Sequence, residues 1–134
     1  MLEHLNVNHH HYRQNGVFLD DDLKKLFAIL KHQGACGGEP QLWFNSPDCA
    51  QLAADTFLRP IEVHSNQQSM IMLPLSNTTY SSYQPIILQL FGGHFYLVTL
   101  KRHKRKFPMV SPVYSPACRK MNINDQSRSF ANDN

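Results

Sequence analysis

The strongest candidate for a catalytic side chain in this sequence is a histidine at the start of a predicted strand. In residues 85–100, two apolar, β-branched runs flank Phe91-Gly92-Gly93, a pattern that predicts a β-hairpin with a glycine turn. His94 follows the turn directly, so a rigid scaffold would hold its titratable ring beside flexible glycines. His94 is therefore a candidate for acid–base catalysis. The alternative is that it fills a half-exposed strand position, as one of eight histidines.

The chain has three cysteines, Cys36, Cys49 and Cys118, of which Cys36 and Cys49 are the candidate nucleophiles. Their odd number and the lack of metal-type spacing favour reduced thiols in an intracellular protein over a disulfide scaffold. Cys36 lies among small loop residues, and no neighbouring base in the sequence would activate it. Cys49 lies near the predicted start of a helix, where its thiol is either a small core group or a thiol with a lowered pKa.

Two clusters contain residue types that bind metals. The first segment contains four histidines, but because three are consecutive they point around a helix, which favours adventitious binding over a structural site; they are His4, His9, His10 and His11. Asp20, Asp21 and Asp22 form the second cluster. Anions stabilise the positive end of a helix, so dipole complementation accounts for these aspartates without a metal. We expect no metal and no cofactor.

Helices are predicted to come first and to position these groups. Residues 1–14 have helical spacing of their apolar side chains, which allows a short amphipathic helix. After Leu19, a second helix is predicted to bury one stripe and to stop at Gly34; the stripe consists of Leu23, Leu26, Phe27 and Leu30. Ser46 as N-cap and Pro47 in the first turn predict a third helix. Its shared face would contain Cys49, Leu52, Ala53 and Phe57.

Strands are predicted after the helices. Residues 61–65 alternate like a half-buried strand, and residues 70–73 form a second short strand that ends at Pro74. A polar loop from Ser76 to Gln84 then leads to the hairpin that contains His94. The sequence therefore predicts an α+β domain with N-terminal helices packed on a small sheet of late strands.

Charge and composition divide the 134-residue chain into three parts. Residues 1–100 are predicted to form the domain, residues 101–118 a basic and proline-rich extension, and residues 119–134 a disordered tail. The extension begins with a cationic run that either binds the phosphates of a nucleic acid, serves in nuclear import, or is a solvated strand end; the charged residues are Lys101, Arg102, Lys104, Arg105 and Lys106. No stretch is long enough to span a membrane, and the N-terminus lacks signal-peptide features, so we expect the protein in the cytoplasm or nucleus.

An ordered series of short segments resembles the C-terminal part of the ovarian-tumour (OTU) family of cysteine proteases, in the version found in fungal and transposon-associated proteins. The segments are Trp43, Leu52-Ala53, Arg59-Pro60-Ile61, Met72-Leu73-Pro74-Leu75, Pro85-Ile86-Ile87-Leu88 and Gly93-His94-Phe95. Together they span about residues 1–100, and the resemblance depends on their order and spacing. It implies a papain-like fold that hydrolyses ubiquitin isopeptide bonds with a cysteine nucleophile and a histidine base.

Only the histidine of that mechanism maps onto this chain. His94 corresponds to the general base, whereas Tyr96 occupies the position of the Asn or Asp that orients the imidazole. The family's Asp-Gly-Asn-Cys segment is absent, and we expect it upstream of Met1 if an upstream exon encodes it. The resemblance therefore implies a deubiquitinase-like domain that is inactive as written. Without the nucleophile's helix, apolar surface is expected to be uncovered, the isolated chain to be marginally stable, and ubiquitin binding to be weak.

Overall fold

Helices precede strands in the part of the chain that the computed structural model describes, which is residues 1–45, 47–75 and 84–100. The helices are α1 (Leu2–Gln14), α2 (Asp20–Lys31) and α3 (Asp48–Phe57), with a 3-10 helix at Pro40–Leu42 before α3. The strands are β1 (Ile61–Ser65), β2 (Met70–Met72), β3 (Ile86–Phe91) and β4 (His94–Val98). The α+β class predicted from the sequence is confirmed.

The four strands form one mixed sheet in the order β2-β1-β3-β4. β1 and β2 are antiparallel neighbours, and β3 and β4 form the predicted antiparallel hairpin. The two pairs meet along β1 and β3, which run parallel with Ile61 opposite Ile86. Because parallel neighbours need a crossover between them, this central pairing was not visible in the local patterns that predicted each strand.

Helix α3 lies at the centre of the core. All residues from 49 to 55 are buried, and they contribute to two apolar clusters. Cys49 and Leu52 pack with residues of α1 and α2, whereas Ala53 packs with the residues of β1 and β2. The prediction that Phe57 shares the buried face is wrong, since its side chain is 55% exposed. The helix is buried on several sides through its middle turns, so Phe57 lies past the covered region, in the last turn.

The ends of the helices differ in detail from the prediction. α2 ends at Lys31, and Gly34 follows with a positive φ of 88°, which turns the chain after the helix has ended. The Asp22 carboxylate accepts a hydrogen bond from the Leu19 amide at 2.9 Å, so it caps the first turn of α2. No group of three or more potential metal ligands occurs in the described ranges.

Ser46, the predicted N-cap of α3, lies outside the described residues. Among the described residues, Asn45 caps the first turn of α3, because its Oδ1 accepts a hydrogen bond from the Cys49 amide at 3.2 Å. The cationic run of residues 101–106, Cys118, the tail and most of the polar loop also lie outside the described residues. None of the described helices is both long enough and apolar enough to cross a membrane.

Candidate functional site

His94 lies where the sequence predicted it, at the first position of β4. It pairs with Phe91 across a turn formed by Gly92 and Gly93, which have φ values of 56° and 78°. Two successive positive φ angles are typical of a type I′ turn and disfavour any residue with a Cβ atom. The two glycines therefore fix His94 at the closed end of the hairpin, where its side chain is exposed.

Neither described cysteine is connected to His94. Cys49 is fully buried at the start of α3, and burial raises the pKa of its thiol. The Cys36 thiol donates a hydrogen bond to the carbonyl oxygen of Leu42 at 3.6 Å. Within the described ranges, no side-chain hydrogen bond or ion pair joins His94 to either thiol or to any other group. The role of His94 as a general base remains a prediction.

A row of polar side chains crosses the sheet beside His94. The strand register places His64 of β1, Gln89 of β3 and Tyr96 of β4 next to one another. Alternation puts them on the face opposite to Ile61, which packs in the core. Tyr96 therefore lies on the same face as His94, with one residue between them in β4.

Glu62 and His64 form a carboxylate–imidazole pair on this face. The Glu62 Oε2 lies 3.0 Å from His64 Nε2, and the two side chains are only 10% and 17% exposed. A carboxylate in this position fixes the orientation of the imidazole. Sequence analysis did not identify this pair, although the alternation in residues 61–65 already put both side chains on one face of the strand.

A buried polar cluster lies between α1, α3 and the segment after β2. The Tyr12 hydroxyl donates to Asp55 Oδ2 at 2.7 Å, and Asp55 Oδ1 accepts the Leu75 amide at 2.7 Å. Gln51 donates to Asp55 Oδ1 at 3.3 Å and to the Leu73 carbonyl at 2.8 Å. The cluster therefore ties three separate parts of the chain to one carboxylate.

The environment of the cluster changes the titration of its members. Burial raises the pKa of Asp55 to about 6, although its hydrogen bonds with Tyr12, Leu75 and Gln51 act in the opposite direction. Burial and the neighbouring carboxylate raise the pKa of Tyr12. His4 Nε2 lies 3.0 Å from the Tyr12 hydroxyl, and burial lowers the pKa of this histidine.

The contacts of the cluster assign it a structural role. Each of its polar atoms bonds to another part of the fold, and among the described residues no buried side-chain nitrogen or oxygen lacks a partner. Tyr12, Gln51 and Asp55 are also at most 6% exposed, so the cluster is closed to a substrate group. The spacing of Gln51 and Asp55, four residues apart in a helix predicted to be buried, was the available sequence signal for this cluster.

Comparison with known proteins adds no relationship: no protein-family model, no curated protein and no solved structure matches the chain.

Proposed function

We propose that the chain is a non-catalytic, OTU-related module of the cytoplasm or nucleus that binds a ubiquitin-like protein at the closed end of its β3–β4 hairpin. The proposal includes a papain-like ancestry for the fold, with the helices packed on the sheet of late strands. The observation that carries it is the position of His94, exposed at the start of β4 and next to Phe91, which is 64% exposed.

The exposure of this hairpin end supports binding over catalysis. A general base must lie within hydrogen-bonding distance of the thiol from which it takes a proton, at about 2.6–3.2 Å. No such thiol contacts His94 among the described residues, and the Cys49 thiol is buried with a raised pKa. Aromatic residues, Phe among them, are enriched at protein–protein interfaces, so exposed Phe91 is suited to contact a partner.

Titration of ¹⁵N-labelled ubiquitin with the full chain tests the proposal. We expect progressive amide shifts with a Kd of about 0.1–1 mM, because a hairpin end presents less area than a standard interface. Phe91→Ala should weaken binding by about fivefold or more. Val7→Ala is the matched control, since Val7 is an exposed apolar residue of α1 that is 74% exposed.

Two results would contradict this function. The binding proposal fails if ubiquitin shows no shifts at about 1 mM protein, or if Phe91→Ala and Val7→Ala bind alike. Its non-catalytic part fails if a ubiquitin probe with an electrophilic C-terminus labels Cys36 or Cys49. We expect no labelling, since neither thiol has a contact with a base in the described part of the chain.

The second candidate function is nucleic-acid binding, and it is supported only by the density of positive charge in residues 101–106. Five of the six residues 101–106 are Lys or Arg. If they bind phosphates, affinity for duplex DNA or RNA should fall by about 10²–10³ between 50 and 200 mM salt. Substituting all five residues with glutamine should abolish that binding in a fluorescence anisotropy assay. Salt-insensitive binding, or binding unaffected by the substitutions, would exclude this function.

A further inference from the structure

In the described part of the chain, β4 forms one edge of the sheet, and its own sequence lacks the charged residues and prolines that usually protect an edge. Among the described strands it pairs with β3 alone. Its sequence, His94-Phe95-Tyr96-Leu97-Val98, contains no Lys, Arg, Asp, Glu or Pro. Leu97 is 72% exposed and Tyr96 is 53% exposed. An uncharged, apolar and exposed edge strand is a template for pairing with another strand.

The hairpin register shows which backbone groups of β4 are available. In an antiparallel pair, residues alternate between those that exchange hydrogen bonds with the neighbouring strand and those that point away from it. The pair that closes a two-residue turn, Phe91 and His94, exchanges hydrogen bonds, so Tyr96 and Val98 also bond to β3. The N–H and C=O groups of Phe95 and Leu97 therefore point outward. In the described chain, no other backbone hydrogen bond uses them.

We propose that β4 pairs with β4 of a second copy of this chain, antiparallel and about a twofold axis at Tyr96. This register places Phe95 opposite the partner's Leu97, and Leu97 opposite the partner's Phe95. The outward backbone groups of both residues thereby find partners at once, with the alternation that an antiparallel ladder requires. Tyr96 then lies opposite the partner's Tyr96, and the two four-stranded sheets become one sheet of eight strands.

The side chains of β4 favour a second copy as the occupant. On the α3 face, exposed Leu97 would be covered by the partner's Phe95, whose ring already packs against Phe44 at a centroid distance of 5.1 Å. No like charges would lie opposite each other within the paired strands, since β4 has none.

Sedimentation velocity on the full chain, from about 5 to 500 µM, tests the pairing. A five-residue strand pair buries less area than a standard interface, so we expect a monomer–dimer equilibrium with a Kd of about 10–100 µM. Tyr96→Lys and Tyr96→Glu should each raise the Kd at least tenfold, because the twofold axis places identical charges opposite each other. An equimolar mixture of the two variants should regain dimer, since opposite charges then face each other.

Val7→Lys is the matched control, because it places the same charge on a more exposed apolar residue of α1. It should dimerise like the unmodified chain, and circular dichroism should show every variant folded. A chain that is monomeric at 500 µM would overturn the proposal, as would Tyr96→Lys dimerising normally. Failure of the mixture to regain dimer would overturn the register at Tyr96. These measurements contain no ubiquitin, and ubiquitin binding is tested separately at Phe91.

Discussion

Replacing Asp55 with alanine is expected to lower the free energy of unfolding by about 3–5 kcal/mol. The substitution removes the acceptor of the Tyr12 hydroxyl and of the Leu75 amide, both bonded at 2.7 Å. A buried donor without a partner costs about 1–3 kcal/mol, and the missing side chain leaves a cavity between Tyr12, Gln51 and Leu75. Such a loss is a large fraction of the stability of a small domain, and urea denaturation will measure it.

Two comparison variants make this result specific. Tyr12→Phe leaves Asp55 bonded to Leu75 and Gln51, so it should cost only about 1–2 kcal/mol. Glu39→Ala removes an exposed carboxylate from a loop and should change stability by less than about 0.5 kcal/mol. If Asp55→Ala cost no more than Glu39→Ala, the buried cluster would not hold the helices to the sheet.

Between about pH 4 and pH 6, stability is expected to fall as the pH rises because of Asp55. The carboxyl has an ordinary pKa of 3.8 when exposed in the unfolded chain and a pKa raised to about 6 in the fold. In this range the folded state therefore holds a proton that the unfolded state has released. The free energy of unfolding should decrease by at most about 1.4 kcal/mol per pH unit, and by about 2 kcal/mol between pH 4 and pH 6.

Other groups titrate in the same range, so a variant must isolate Asp55. The raised pKa of Asp48 acts in the same direction, whereas the lowered pKa of His4 makes acidic pH destabilising. Asp55→Asn keeps the size of the side chain but cannot titrate. Denaturation at pH 4, 5, 6 and 7 should show the unmodified chain losing about 2 kcal/mol relative to this variant. Parallel pH profiles would contradict the raised pKa.

The sequence predicted those parts of the fold that depend on local patterns. The stripe containing Leu23 and Leu26 predicted α2, and the glycines before His94 predicted the β3–β4 hairpin, because each signal lies within one element or one turn. The parallel pairing of β1 with β3 depends on packing between segments far apart in the chain. No residue of β1 specified that neighbour, so the sheet order could not be predicted.

The candidate site, like the fold, could be predicted from the sequence only in part. His94 was found because it follows a turn signal, and its exposed position at the start of β4 is what a strand start predicts. The cluster around Asp55 was missed because Tyr12 contacts it from 43 residues away in sequence. Leu58 was also unpredictable, since its left-handed φ of 52° occupies a position that glycine usually fills at a helix end.

The parallel pairing of β1 with β3 has a consequence for the order in which the chain folds. β1 with β2 and β3 with β4 are each formed by neighbours in sequence, so either pair closes with a small loss of chain entropy. Joining them aligns Ile61 with Ile86 and restricts the chain between them, which is a non-local step. Non-local pairing slows folding, so we expect the docking of the two hairpins to be the slow step. During synthesis, the β1–β2 pair therefore cannot join the rest of the sheet until the β3–β4 hairpin has left the ribosome.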